Sequence, residues 1–206
     1  MNPSYASRLR RRDVLAMSAA AGLGALAWPA RAAQAVLTRV EGAFGAFVIA
    51  VDPAVAPITV ANYLAYVDGK HLDNASIYRI VNLANQAPET VHKIEVVQWG
   101  TNLAEDRKPP FAPIAHETTK DTGLRHRDGT VSMARAEPGS ASGEFFICIG
   151  EQPALDFGGG RNPDGQGFAA FGQVVQGMDV VRALHAKGQA KQFLEEPILI
   201  RTVRRA

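Results

Sequence analysis

Cysteine is nearly absent from this chain of 206 residues: Cys148 stands alone. A single cysteine excludes an intrachain disulfide, so any stable fold must rest on its apolar core. Cys148 falls within the apolar run Phe145-Phe146-Ile147-Cys148-Ile149, where a buried, inert thiol is favoured over a nucleophile, because activation needs a cation or base beside the sulfur. Beyond residue 35 no apolar run approaches the roughly 20 residues that span a bilayer. There is no internal repeat and no low-complexity segment, which argues against a solenoid or a disordered chain. Nor is one sign of charge in excess: 22 Lys and Arg stand against 20 Asp and Glu.

The first 35 residues have a composition of their own. Arg8, Arg10, Arg11 and Arg12 form a basic head, and Val14 to Trp28 carry no charge. Ala30-Arg31-Ala32 and Ala33-Gln34-Ala35 both fit a small-residue cleavage pattern. Residues 1–35 therefore read as a signal peptide and residues 36–206 as one domain. Arg11-Arg12 followed by Asp13-Val14-Leu15 resembles a twin-arginine signal, preferred here to an ordinary secretory signal with a basic head. The apolar run is short for a membrane anchor, and no cysteine near the cleavage site suits a lipoprotein. The expected location is the periplasm, with no stable membrane association after cleavage. Five Arg and one Asp belong to the leader, leaving 17 basic and 19 acidic residues, a net charge of −2. A mildly acidic domain gives no reason to expect nucleic-acid binding.

The rest of the chain alternates short β-like runs with turn residues. Ala35–Glu41, Gly45–Val51, Ser76–Val81, Lys93–Trp99, Thr130–Ala136, Gly143–Ile149, Ala169–Val175 and Pro197–Val203 are rich in Val, Ile, Phe and Thr, as strands prefer. Pro57–Val67 reads as a helix: proline suits the first turn, and Val60, Tyr63, Leu64 and Val67 share one face. Gly177–His185 reads as a second. Eight strands and two helices predict a closed eight-stranded antiparallel β-barrel capped by two α-helices, closure removing the exposed strand edges. Residues 101–129, with Pro109-Pro110 and Pro113, form a long connection of the kind that serves function or acts as a lid.

Gly129-Thr130-Val131-Ser132-Met133-Ala134-Arg135 followed by Ser140-Ala141-Ser142-Gly143-Glu144-Phe145-Phe146-Ile147 resembles the signature of the cyclophilins. Further blocks follow that family's order: Ala56-Pro57-Ile58-Thr59-Val60-Ala61-Asn62-Tyr63-Leu64, Ile77-Tyr78-Arg79-Ile80-Val81, Val97-Gln98-Trp99-Gly100, Leu155-Asp156 and Phe171-Gly172-Gln173-Val174-Val175. The resemblance covers residues 36–204. It implies a monomeric peptidyl-prolyl cis-trans isomerase that needs no cofactor and no metal. Its partners would be proline-containing polypeptides, and its role would be to assist folding of exported proteins. The same resemblance assigns the catalytic donor to Arg79, its orienting glutamine to Gln98 and the pocket floor to Phe146. Val96, Ala134, Arg135, Glu144, Leu155 and Phe168 fall at substrate-binding positions.

Several positions depart from that pattern. Glu144 stands where the family has glutamine, and a Glu144–Arg79 ion pair would either orient the arginine or hold it from substrate. Glu95-Val96 replaces an aromatic-methionine pair, Ala154 an aromatic, and Phe168 a histidine. The connection from Arg79 to Gln98 carries an insertion at Leu83–His92. These changes keep a second reading in view: a weak or inactive proline-peptide-binding module using the same groove. Elsewhere, His116-Glu117 lacks a second ligand motif, so a structural glutamate is favoured over a metal site. Gly158–Gly165 lacks the Lys-Ser/Thr ending of a phosphate loop and reads as a flexible surface loop. Ser140 and Ser142 have no nucleophile elbow around them.

Overall fold

The computed structural model describes residues 35–101 and 108–206. The leader read over residues 1–35 thus lies outside the described residues, Ala35 excepted. The strands are β1 (Val36–Gly42), β2 (Gly45–Val51), β3 (Ser76–Val81), β4 (Val96–Gly100), β5 (Thr130–Met133), β6 (Glu144–Cys148), β7 (Ala170–Gln176) and β8 (Phe193–Arg205). They close into an antiparallel barrel in the order β1-β2-β7-β5-β6-β4-β3-β8. Helix α1 (Pro57–Asp68) has proline in its first turn, and α3 (Met178–His185) buries Val181 and Leu184. A four-residue helix, α2 (Thr119–Thr122), was not expected; Thr118 and Asp121 form a reciprocal capping box at its start.

Most strand ends shift by a residue or more from the sequence reading, β5 ending at Met133 rather than Ala136, and two of the larger shifts have a visible cause. β4 begins at Val96 rather than Lys93, because the Gln86 side chain takes both main-chain groups of Ile94: Nε2 donates to its carbonyl and Oε1 accepts from its N–H. β8 starts at Phe193 and runs through Pro197. The register against β3 shifts between Ile77, opposite Ile198, and Arg79, opposite Phe193, so the missing proline N–H falls in a stretch that skips pairing.

Alternation along β6 divides the apolar residues into two populations. Phe145 and Ile147 point into the barrel core, where the Phe145 ring meets Tyr63, Trp99 and Phe171 at centroid distances of 5.3, 5.1 and 5.9 Å. Phe146 and Cys148 point to the other face and join Val81, Ile94, Val96 and Leu155 in a separate cluster, with Ala134 and Phe168 packed against it. Burial pushes the Cys148 thiol well above its usual value, which keeps it protonated and inert.

The described part of the long connection, residues 108–129, is a strap fastened to the barrel rather than a lid. The Phe111 ring packs edge-on against Tyr66 at 5.0 Å, and the Ile114 N–H bonds the Ala141 carbonyl. Glu117 caps α1 by accepting from the N–H groups of Ile58 (3.1 Å) and Thr59 (2.7 Å) and from the Thr59 hydroxyl (2.6 Å). No helix among the described residues is long and apolar enough to cross a membrane.

Candidate active site

Four neighbouring strands, β3, β4, β6 and β5, place one row of side chains across the outer wall. Arg79 is opposite Gln98, Gln98 opposite Phe146, and Phe146 opposite Ser132. Directly opposed residues share a face, so the row puts a guanidinium, an amide, an aromatic ring and a hydroxyl side by side. A bulge in β3 between Ile77 and Arg79 sets Tyr78 beside the row.

Arg79 is held by glutamines. Its Nη1 donates to Gln98 Oε1 at 2.9 Å, while Nε and Nη2 both donate to Gln192 Oε1, at 3.1 and 2.5 Å. The Gln98 amide is oriented in turn, since its Nε2 donates to the Tyr78 hydroxyl at 2.6 Å. Phe193 lies under the guanidinium, 5.5 Å from its ring centroid, and stacks on Tyr78. Burial, and then the charge of Arg161, lower the Arg79 pKa from the usual arginine value, and the group remains cationic at physiological pH. Burial and then Glu144 raise that of Tyr78, so its hydroxyl stays protonated. The Glu144 carboxylate accepts from the Thr101 hydroxyl at 2.6 Å, so the departure from glutamine does not divert Arg79 from Gln98 and Gln192.

The apolar cluster beside this row, the candidate recess for a ligand, gathers Val96, Phe146, Leu155, Phe168 and Ala134, all named from the sequence, and adds Val81 and Ile94. Phe168 meets Phe146 edge-on at 5.4 Å and so adds an aromatic ring to the cluster. Arg135 is placed beside the recess, but its guanidinium is committed to the protein. It forms a two-pronged pair with Asp164 (2.8 and 3.0 Å), bonds the Gly167 carbonyl and stacks on Phe168 at 5.2 Å. Only the main chain there is left for a peptide. The same contacts, with the Gly158 N–H bonding the Gly165 carbonyl at 2.8 Å, anchor the glycine-rich segment that the sequence reads as a flexible loop.

Beneath the recess lies a polar trio that sequence reasoning missed. His126 accepts or donates at both nitrogens: Nδ1 is 2.8 Å from Asp156 Oδ1 and Nε2 is 2.9 Å from Ser132 Oγ. The imidazole stacks nearly parallel to Phe146, centroids 6.0 Å apart and planes at 17°. His126 is 1% exposed and Ser132 0%, so the arrangement braces the pocket floor and is closed to substrate. Burial lowers the His126 pKa against the pull of Asp156, keeping the ring neutral. Burial raises the Asp156 value, but hydrogen bonds from the His126 side chain and main chain outweigh it, and the carboxyl stays ionised. Gln192 and Phe193 were missed as well. Gln192 ends the connection before β8 and Phe193 opens that strand, in a stretch with no motif character, and only barrel closure brings them to Arg79.

A closed antiparallel barrel that carries a cation beside an apolar cluster on its outer wall is a cyclophilin-like barrel. Residues 36–205 match the family described as cyclophilin type peptidyl-prolyl cis-trans isomerase. The chain is 35% identical over 143 residues to a peptidyl-prolyl cis-trans isomerase of Streptomyces antibioticus, covering 68% of this chain and 77% of that one. It is 29% identical over 154 residues to peptidyl-prolyl cis-trans isomerase B of Escherichia coli, covering 72% and 86%. A crystal structure of a Cryptosporidium parvum cyclophilin-type isomerase superposes with a TM-score of 0.65 at 17% identity, over 84% of this chain and 98% of that one, a likeness of fold. The chain belongs to the cyclophilin-type peptidyl-prolyl cis-trans isomerase family, and its activity is the isomerisation of Xaa-Pro peptide bonds.

Proposed function

We propose that Arg79 supplies the chemistry and that the recess over Phe146 seats the proline ring. The observation that carries this reading is the row Arg79–Gln98–Phe146, which sets fixed N–H donors at the rim of an apolar floor. Resonance opposes rotation about the Xaa-Pro bond with a barrier of roughly 18–20 kcal/mol. In the twisted amide the nitrogen recovers its lone pair, and a donor aimed at that atom stabilises this state over either planar isomer. No bond is made or broken, so neither nucleophile nor proton transfer is required. Val96, Leu155 and Phe168 surround the proline ring and exclude water, which strengthens the donor's effect. Ala134 and the main chain of Arg135 flank the peptide, with Glu144 near the tyrosine end of the row. The test is NMR exchange on a short Ala-Pro peptide: catalysed exchange supports this reading, and binding without acceleration would leave a peptide-binding module.

Gln192 is a positioning residue in this scheme, because it fixes two of the three Arg79 nitrogens and, through Nε2, bonds the Asn85 carbonyl at 3.2 Å. Gln192→Ala is expected to lower kcat about tenfold while KM changes less than about twofold. Steady-state kinetics check this; a rise in KM at constant kcat would assign Gln192 to binding instead.

The domain is proposed to act as a monomer on exported polypeptides in the periplasm, assisting their folding. The basic head and Arg11-Arg12 of the leader support export, and a fold without disulfides suits a route that carries folded cargo. Replacing both Arg11 and Arg12 with lysine is expected to retain the protein in the cytoplasm, read by cell fractionation. Unchanged export would exclude the twin-arginine route.

A further inference from the structure

Two connections meet beside the apolar recess, and a groove opens between them. One is the connection 82–95, which carries the insertion at Leu83–His92, and the other the glycine-rich segment 158–167. Arg161 joins them: its Nη1 donates to Gln86 Oε1 (3.3 Å) and to the His92 carbonyl (3.0 Å), and its N–H bonds the Ala154 carbonyl (3.1 Å). Gly160 comes so near His92 that a Cβ there would lie 2.1 Å from Nε2, a closeness only glycine permits. The groove measures about 340 Å³ and is lined by Thr90, Val91, His92, Gly160 and Arg161, within the roughly 300–1,000 Å³ of ligand sites. Both walls are continuous along the chain with residues of the apolar cluster. Ile94, two residues past His92, belongs to the recess cluster, and Ala154 precedes Leu155, which does too.

Among the described residues the groove's charge is uncompensated. Arg161 is half-buried, yet among the described residues no carboxylate lies within ion-pair distance of it, and its Nε and Nη2 have no protein acceptor. Arg79 next to it donates to glutamine amides alone among the described residues. Burial lowers the pKa of both guanidinium groups, and for Arg79 the charge of Arg161 adds to it. A partly desolvated cation without a counterion is unfavourable, and an incoming anion relieves it. Val91, 86% exposed, offers the methylene groups of such a ligand an apolar wall.

We propose that this groove is an acidic-residue subsite of the peptide channel, in which Arg161 pairs with the carboxylate of a Glu or Asp side chain that the client carries close to its proline. The inference rests on the recess over Phe146 being the proline site. It makes the insertion at Leu83–His92 a specificity element, selecting among clients by the charge beside their prolines.

The test uses the full-length protein and Ala-Pro peptides in matched pairs, carrying Glu or Gln either two residues before or two residues after the proline. Dissociation constants from NMR titration are read alongside exchange rates. At one of the two positions the Glu peptide is expected to bind about fivefold more tightly than its Gln partner at low salt. That ratio should fall to about one in Arg161→Gln. Because Arg161 also staples the two segments, Val91→Glu provides a second variant: it places a carboxylate at an exposed position on the groove wall and should abolish the preference with the staple intact. Equal affinity for Glu and Gln peptides at both positions would overturn the proposal. So would a preference that survives both variants, or one lost only in Arg79→Ala, which would put the carboxylate on Arg79. Failure of the isomerase scheme is read separately, as Gln peptides whose exchange is not accelerated, while the affinity ratio still reports on the groove.

Discussion

Arg79→Ala is expected to lower kcat/KM by about 10²–10³-fold while peptide affinity changes only about threefold. The size follows from the loss of a preorganised donor that acts on the transition state rather than the ground state. The apolar recess, which provides most of the affinity in this scheme, does not include Arg79, so binding should survive. Folding should survive too, since the residues that Arg79 touches are two glutamine amides and the exposed ring of Phe193. Arg79→Lys is expected to recover little, because one ammonium on a flexible stem cannot span both Gln98 and Gln192 as the planar fork does. NMR exchange on an Ala-Pro peptide, run beside a titration, separates the two effects. A variant that keeps its rate within about threefold of the parent would remove Arg79 from the mechanism.

The second large effect concerns stability. His126→Ala is expected to destabilise the fold by about 3 kcal/mol, a large part of the roughly 5–15 kcal/mol available to a domain. It leaves the buried Asp156 carboxylate without its imidazole donor, Ser132 without a partner, and a cavity below Phe146. The same residue sets a pH dependence. Its folded pKa is lowered, so the unfolded chain binds the proton first as pH falls through the unfolded value near 6.5. Stability is therefore full above about 6.5 and declines below it, by up to roughly 1.4 kcal/mol per pH unit, until pH reaches the lower folded value. Burial lowers the His116 pKa as well, adding a slope of the same sign, so the informative quantity is the difference between parent and variant. His126→Gln should flatten the curve between pH 5 and 6.5 in chemical denaturation. A variant with the parent's slope would show that His126 does not titrate in this way. Because the imidazole backs the pocket floor, the variant should also raise KM more than it lowers kcat.

Much of the architecture was legible in short stretches of sequence, because strand alternation and helix periodicity depend on neighbours in the chain. Glu144-Phe145-Phe146-Ile147 declares two faces by alternation alone, and Pro57 followed by the Val60, Tyr63, Leu64, Val67 stripe declares α1. Arg79, Gln98 and Phe146 were named through the family resemblance, and strand pairing in register sets them side by side. The glycine-rich segment misled because its composition suggests mobility, whereas Arg135 and Arg161 hold it from two sides.

By itself, then, the sequence determined the eight strands and the inward and outward faces of β6, which depend on local backbone preference and on side-chain period; Val96, Ala134, Phe146, Leu155 and Phe168 were named through the family resemblance instead. Only the tertiary structure decided what holds them: Gln192, 113 residues from Arg79; Asp156, 30 residues from His126; and Arg161, 75 residues from Gln86. Each of these contacts is a hydrogen bond in which at least one partner sits in a connection with no regular period, so nothing along the chain announces it. It exists because closure of the barrel brings the two segments to the same place, where a buried polar group must find a partner.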